Sequence, residues 1–485
     1  MLNPLTHLEF RANIEPQELA LCDLSNAMTY LQLFILVKKI ATKLEVAGVK
    51  PGDLVITCLP NKLDWILTNA LFHEACITCS NHGYEPIDPC LQPDWVISER
   101  PILNIPQSQL LLIDTAWIQD AEEQAPSNVI KPYAREDDLC RLMLTSGTTG
   151  GVKAVPYSVK MLTERLVTVS SYWSAAGSEI NLMSLATVGG FFSAMNTSLL
   201  GEPFYSAPIM SALVKFANQF RIKSLIASPM QLAAFVKEVE LSKDDIPPLQ
   251  EIRSAGGVLP EALSDHLRRL FHAKVFNIYG STEVGGVSFD LIKQQHHPAH
   301  AGYVLPTAEV EIVNELDQRQ PFDTEGFIRT KTSSMAHEYF KNPEATAKSF
   351  KDGWFYPGDR ARLRKNGSLI LAGRDSEIIN RGGVKIDPVT IDEYLMTYPG
   401  IEDAAAFGLV DKIGIERVAA VLVANEAFDV PALRSALLKK FGQTNAPSIF
   451  LKVKQIPRNQ MGKVMRTQLS QEFAAILAKR DQKHN

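Results

Sequence analysis

Thr145, Ser146, Gly147, Thr148, Thr149 and Gly150 lead through Gly151 and Val152 to Lys153, directly after the apolar run Leu142-Met143-Leu144. Hydroxyls donate hydrogen bonds, glycines let backbone N–H groups turn inward and the lysine neutralises charge, so the combination suits a polyanion such as a triphosphate. A Walker-type phosphate loop is excluded. It requires glycine before the lysine and Ser or Thr after it, and Val152 and Ala154 hold those positions. A second cluster, Tyr279-Gly280-Ser281-Thr282-Glu283, offers an aromatic face for a base, a hydroxyl for phosphate and a carboxylate for an oxygen-preferring cation such as Mg²⁺. A third, Gly353 to Asp359, ends in a carboxylate after a turn, suited to ribose hydroxyls.

These clusters need a scaffold that presents loops side by side. From Pro203 onward the hydrophobic pattern alternates between helix and strand. Leu213, Phe216, Ala217 and Phe220 mark a helix, 224–227 a strand, 230–239 a helix, 251–254 a strand, 260–271 a helix and 274–278 a strand. That order predicts a parallel sheet wrapped by helices, which binds ligands at the carboxyl ends of its strands. Thr145–Gly150, Ala255-Gly256-Gly257 and Tyr279–Glu283 all fall at such ends. Between Asn314 and Asp359 the chain becomes turn-rich and strand-like, and the last ~110 residues read as a separate α+β unit of viable domain size. Its expected strands are 368–372 and 418–423, and its expected helices 389–396, 430–441 and 467–478.

Composition narrows the class. The 485 residues are 46% hydrophobic and 21% charged, with a net charge of -5, so a large core is available and nothing favours nucleic acid as a partner. No apolar run is long enough to span a bilayer, and Met1-Leu2-Asn3-Pro4 does not read as a signal peptide. The 6 cysteines lie between Cys22 and Cys140 in no disulfide pattern, which predicts a cytoplasmic setting.

Taken in order, Thr145–Lys153, Ser254–Pro260, Tyr279–Glu283, Tyr339–Thr346, Gly353–Asp359, Gly373–Pro388 and Pro457–Arg466 resemble the motifs of the adenylate-forming superfamily of acyl-CoA synthetases, nonribosomal-peptide adenylation domains and luciferases. The resemblance implies an α/β fold: a large N-terminal domain (1–374) of helix-wrapped sheets with a β-barrel-like subdomain, and a small mobile α+β C-terminal domain (375–485). It implies that Thr145–Lys153 holds the ATP phosphates, that Gly256, Gly257, Tyr279 and Gly280 wall the adenine and acyl carboxylate, and that Thr282 and Glu283 bind phosphate and Mg²⁺. Asp359 and Arg374 resemble the ribose clamp. Lys463 resembles the mobile lysine that bridges carboxylate and α-phosphate during adenylation. Ser376 falls at the hinge and Gly383 on the side reached by the thiol acceptor.

The implied activity is an ATP-dependent acid–thiol ligase, with CoA or the phosphopantetheine of a separate carrier protein as acceptor. An enzyme that stops at acyl-AMP and a non-catalytic adenylate-binding relative are the alternatives. Five positions depart from the family pattern. Val152-Lys153-Ala154 replaces Pro-Lys-Gly, Pro357 replaces a threonine, Ser376 replaces Asp or Lys, and Thr390 replaces an acidic residue. In the expected acyl pocket, Thr187, Val188, Gly189, Phe191 and Val258 offer no carboxylate for an ammonium, which points to a fatty, short aliphatic or simple aryl acid rather than an amino acid. His73, Cys76, Cys79 and His82 match no common zinc spacing and read as core. His296, His297 and His300 read as a solvated loop, and no Gly-x-Ser-x-Gly nucleophile elbow occurs.

Overall fold

The computed structural model describes residues 3–482 apart from 82, 147–151, 174–176, 208, 294–296, 298, 375–376, 378, 382–383, 411–415, 425–428 and 460–461. The chain divides into two compact units. The larger holds Met1–Thr145, Val152–Val310 and Thr330–Phe355, and the smaller holds Ser146–Gly151, Glu311–Arg329 and Tyr356–Asn485.

Two sheets organise the larger unit. In the first, strands Leu54–Cys58, Ile77–Ser80, Trp95–Ser98 and Leu110–Leu112 run parallel, with Leu139–Ser146 joining beside Ile77–Ser80. In the second, Glu179–Asn181, Ser224–Ala227, Glu251–Ala255 and Lys274–Ser281 lie side by side in parallel. The middle strands are buried, Ser224–Ala227 throughout and Glu251–Ala255 from Ile252 to Ser254, as in a parallel sheet covered by helices. Leu225, Ile252 and Val275 share one cluster with Leu232 and Phe235 from helix Pro229–Leu241 and Leu267 and Phe271 from helix Glu261–Phe271. Helix starts follow local chemistry. Ser228 and Gln231 form a reciprocal capping box ahead of Pro229, whose missing N–H costs nothing in the first turn.

The strand expected over 274–278 continues to Ser281 and turns back into Gly285–Ile292 as an antiparallel hairpin. Tyr279 and Gly280 are therefore strand residues, not loop residues. The reason is steric: Gly280 faces Gly286, and a Cβ on Gly280 would sit 2.2 Å from the Gly285 carbonyl oxygen. His300, read as part of a loop, begins strand His300–Val304 and its Nδ1 lies 3.0 Å from Asp290.

The smaller unit centres on strands Ile401–Val410, Glu416–Ala424 and Ile449–Lys452. The first was not legible in the sequence, where Ala404-Ala405-Ala406 gives no β signal. Tertiary burial on both faces overrides propensity there. Ala404 and Ala406 pack with Ile391, Leu395, Leu433 and Leu437, while Ala405, Phe407 and Leu409 pack with Leu469 and Phe473. The helices supplying those partners are Pro388–Met396, Val430–Asn445 and Arg466–Gln482, each close to its expected range.

Candidate active site

In the larger unit the site grows from the ends of the second sheet. Parallel register sets Ser254 beside Asn277 and Ala255 beside Ile278, so Gly256 and Gly257 leave the sheet next to Tyr279. Gly256 has φ +83°, a left-handed backbone that favours glycine. Both glycines and Val258 are exposed.

Glu283 is 6% exposed, and Tyr339 donates its Oη proton to Glu283 Oε1 at 2.6 Å. The other side of the Tyr339 ring belongs to Lys153, whose Nζ lies 4.7 Å from the ring centroid, a cation–π distance. Main-chain bonds hold this assembly: Phe340 N donates to Ala154 O at 2.8 Å, and Ala336 N donates to Glu283 O at 2.8 Å. The lysine after the phosphate-loop sequence and the carboxylate of the hairpin, remote in sequence, thus meet across one phenol. In the sequence Tyr339 only begins the motif Tyr339–Thr346, and nothing local signals this role.

The Thr282–Glu283 turn is gripped from behind. Tyr157 Oη donates to Thr282 O at 2.6 Å and Arg165 Nη1 to the same oxygen at 2.9 Å, while Arg165 Nη2 reaches Glu283 O at 3.2 Å. Burial pushes the Tyr157 phenol up to about 12, so it stays a protonated donor. Sequence reasoning missed Arg165, which sits in the amphipathic helix Val159–Tyr172 with no motif around it.

Thr145 is half-buried at a strand end, Ser146 is placed by its backbone, and Gly147, Thr148, Thr149 and Gly150 lie outside the described residues. Thr187 caps helix Val188–Leu200: its Oγ1 accepts from Gly190 N at 3.1 Å and donates to Ser184 O at 2.7 Å. A Cβ on Gly189 would meet only the flexible end of Met183, whereas one on Gly190 would lie 2.0 Å from the Ser184 carbonyl oxygen, so crowding demands glycine at 190. Val188 is half-buried. Phe191, expected to wall the acyl pocket, is 1% exposed and packs against Phe72 and Phe192 with the Arg141 guanidinium 3.9 Å from its ring centre. Its side chain belongs to the core.

In the smaller unit, Asp359 is buried at a strand start and stands opposite Arg374 in antiparallel register, so the two residues expected to hold ribose are backbone neighbours. Lys463 lies in a turn closed by Asn459 N to Lys463 O and Gly462 N to Asn459 O. Its Nζ is 2.6 Å from Glu377 Oε1. Glu377 also takes Arg466 Nε at 3.2 Å, and Arg466 pairs with Asp392 at 2.6 Å. Burial pushes the Asp392 carboxyl up to about 6 against the opposing pull of Arg466. Ser376 and Gly383 lie outside the described residues.

Glu283, a hard carboxylate whose acceptor capacity exceeds the one bond from Tyr339, suits Mg²⁺ as a single protein ligand, and among the described residues no group of three or more His, Cys, Asp or Glu is placed to hold a metal ion. Elsewhere, His73 is buried against Glu74 at 2.9 Å and burial pushes the Cys79 thiol up to about 12, which makes both core groups. Among the described residues no helix is long and apolar enough to cross a membrane.

Residues 90–340 match the AMP-binding enzyme family. The chain belongs to that family. Curated relatives of this AMP-binding enzyme include the 4-chlorobenzoate–CoA ligase of an Arthrobacter species, 25% identical over 96% of this chain and 94% of the relative. The oxalate–CoA ligase of Arabidopsis thaliana is 24% identical over 92% and 93%. The 2-succinylbenzoate–CoA ligase of Bacillus licheniformis is 25% identical over 95% and 98%. Among solved structures, ATP-bound MatB from Rhodopseudomonas palustris superposes with a TM-score of 0.86 at 19% identity, covering 98% of this chain and 99% of that one. The o-succinylbenzoate CoA synthetase MenE of Bacillus subtilis, in complex with ATP and a magnesium ion, gives 0.83 at 22% identity over 96% and 98%. These superpositions show the adenylate-forming α/β fold.

Proposed function

We propose that this AMP-binding enzyme is an ATP-dependent acid–thiol ligase that activates a carboxylic acid as acyl-AMP and passes the acyl group to CoA. The supporting observation is the junction at Tyr339, where Lys153 and Glu283 converge in the manner a metal-bound polyphosphate needs: an ammonium for oxygen charge on one side, a carboxylate for the cation on the other. Thr145–Lys153 and Thr282 bind the phosphates, and Gly256, Gly257, Tyr279 and Gly280 border the adenine and acyl carboxylate. Asp359 and Arg374 take the ribose. Glu283 would hold Mg²⁺, whose charge would offset that of the phosphates.

In the first half-reaction a carboxylate oxygen attacks the α-phosphorus, forming the acyl-phosphate bond as the bond to pyrophosphate breaks. Two anions approach each other, so a cation must stand where charge accumulates, the role assigned to Lys463. In the second, a thiol sulfur attacks the acyl carbon and AMP leaves. The proposed division of labour puts ATP and acid binding in 1–374 and the lysine in 375–485. Ser376 is the hinge and the segment around Gly383 is the thiol side, so one site serves both steps by a domain rotation.

CoA is favoured over a carrier protein because the relatives named above are CoA ligases. Aryl acids are the first class to test, since 4-chlorobenzoate and 2-succinylbenzoate carry the carboxyl on or beside a ring. Thr187, Val188, Gly189 and Val258 border the acid in this reading. The test is acid-dependent ATP–pyrophosphate exchange across aryl, dicarboxylic, fatty and amino acids, followed by thioester formation with CoA or a phosphopantetheinylated carrier. Exchange with an aryl acid and thioester on CoA is the expected result. ATP binding without exchange for any acid would favour a missing partner or the non-catalytic alternative.

A further inference from the structure

Arg165 is 1% exposed, and all five bonds of its guanidinium end on neutral oxygens. Nε donates to Ser334 Oγ at 3.2 Å, Nη1 to Tyr157 Oη at 2.6 Å and Thr282 O at 2.9 Å, and Nη2 to Glu283 O at 3.2 Å and to Ser334 O. Among the described residues it pairs with no carboxylate. A buried cation without a counter-ion is costly, and a chain that only needed to fill this space could do so with an apolar side chain of similar volume.

The destination of the bonds explains why a planar fork is kept. Thr282 and Glu283 are the residues assigned to phosphate and Mg²⁺. Ser334 begins the segment whose Ala336 N–H binds Glu283 O and whose Tyr339 hydroxyl binds the Glu283 carboxylate. One guanidinium therefore fixes the backbone of the turn and the root of the segment that orients the side chain. Gly285 shows how closely they are packed. Its φ is +83°, and a Cβ there would stand 3.0 Å from Arg165 Nε.

We propose that Arg165, seconded by Tyr157, is a positioning residue that holds the Thr282–Glu283 turn in the geometry required for Mg·ATP. The inference rests on the proposed role of that turn. Rigid, multiply bonded arginine is suited to this where lysine, a point charge on a flexible stem, is not.

The experiment is titration of the resting protein with Mg·ATP in the absence of acid, with the acid KM and kcat of exchange measured in parallel. Arg165→Lys keeps the charge and loses the fork. Tyr157→Phe keeps the packing and loses the bond to Thr282 O together with the acceptor for Arg165 Nη1. We expect the Mg·ATP dissociation constant to rise about tenfold in Arg165→Lys and about threefold in Tyr157→Phe, with the acid KM unchanged. Should Arg165→Lys fail to fold, Tyr157→Phe decides alone. Wild-type protein that binds Mg·ATP, beside folded variants that bind it equally well, overturns the inference and leaves the functional reading standing. Equal losses in Mg·ATP and acid affinity also overturn it, since they mark general loosening. A wild-type protein that binds no Mg·ATP overturns the functional reading, and this inference with it.

Discussion

The turns that carry Glu283 and Lys463 are both anchored by an arginine, yet the two grips differ in kind. Arg165, 1% exposed, holds the Glu283 turn through main-chain oxygens, and a phenol orients the carboxylate. At the Lys463 turn, Arg458 donates to Gly462 O at 2.8 Å but is itself part-exposed and tied to part-exposed Asp403. Lys463 is 35% exposed and pairs with Glu377, which Arg466 also touches. A fully buried hydrogen-bond network resists rearrangement, whereas an ion pair open to solvent is worth about 0–1 kcal/mol. The first turn is set before any ligand arrives. The second holds its side chain with a bond that can be exchanged for another, and Glu377 is shared between Lys463 and Arg466. That difference agrees with the proposal that the Glu283 turn binds Mg·ATP and that Lys463 serves only the adenylation step.

The largest expected effect lies on the exchangeable side. Lys463→Ala should lower acid-dependent ATP–pyrophosphate exchange by about 10²–10³-fold, the usual loss for one charge-stabilising donor, and leave thioester formation from supplied acyl-AMP nearly intact. Equal loss in both half-reactions would remove the distinction between the turns. On the fixed side, Tyr339→Phe should cost about tenfold in exchange, the value of one charge-assisted hydrogen bond, and raise the Mg²⁺ concentration needed for half-maximal rate. A normal Mg²⁺ requirement in that variant contradicts the role given to the Tyr339 junction.

Glu377→Gln should go the other way, speeding exchange about twofold to fivefold by weakening the resting pair of Lys463. It should also speed acylation of the Lys463 amine by a lysine-reactive reagent, read by peptide mass analysis without any knowledge of the acid. Slower labelling would show that Glu377 supports the reactive state instead. The smallest effect concerns pH. Because burial holds the folded Asp392 carboxyl at about 6, above its unfolded value, the folded state binds this proton more tightly. Its contribution favours folding below the unfolded value near 4 and is lost as pH rises through about 6. Asp392→Asn should flatten that part of the stability profile in urea unfolding at pH 4 to 7, and an unchanged slope would place the proton elsewhere.

Much of this molecule was legible residue by residue. The parallel strand 224–227 was read to the residue, and the helices around it to within a few, because apolar runs and capping residues are local signals. The Glu283 hairpin was less so. Its motif was visible, but the extension of the strand to Ser281 depends on Gly280 meeting Gly286 across the turn. Phe191 shows the opposite failure: an aromatic next to a glycine pair looked available to a ligand, while Phe72 and Arg141, distant in sequence, had already enclosed it.

By itself, the sequence determined which groups are present and in what order: hydroxyls and glycines before Lys153, Thr282 beside Glu283, and a lysine near the end of the chain at 463. It also determined the alternation of strand and helix, since periodicity is a property of neighbours. Tertiary structure alone decided what those groups touch. Tyr339 joins Lys153 to Glu283, Arg165 supports the turn from a helix without a motif, Glu377 holds Lys463, and an alanine run becomes a strand because both of its faces are buried. Hydrogen bonds, ion pairs and burial act between residues that folding brings together, and no spacing along the chain encodes those contacts one at a time.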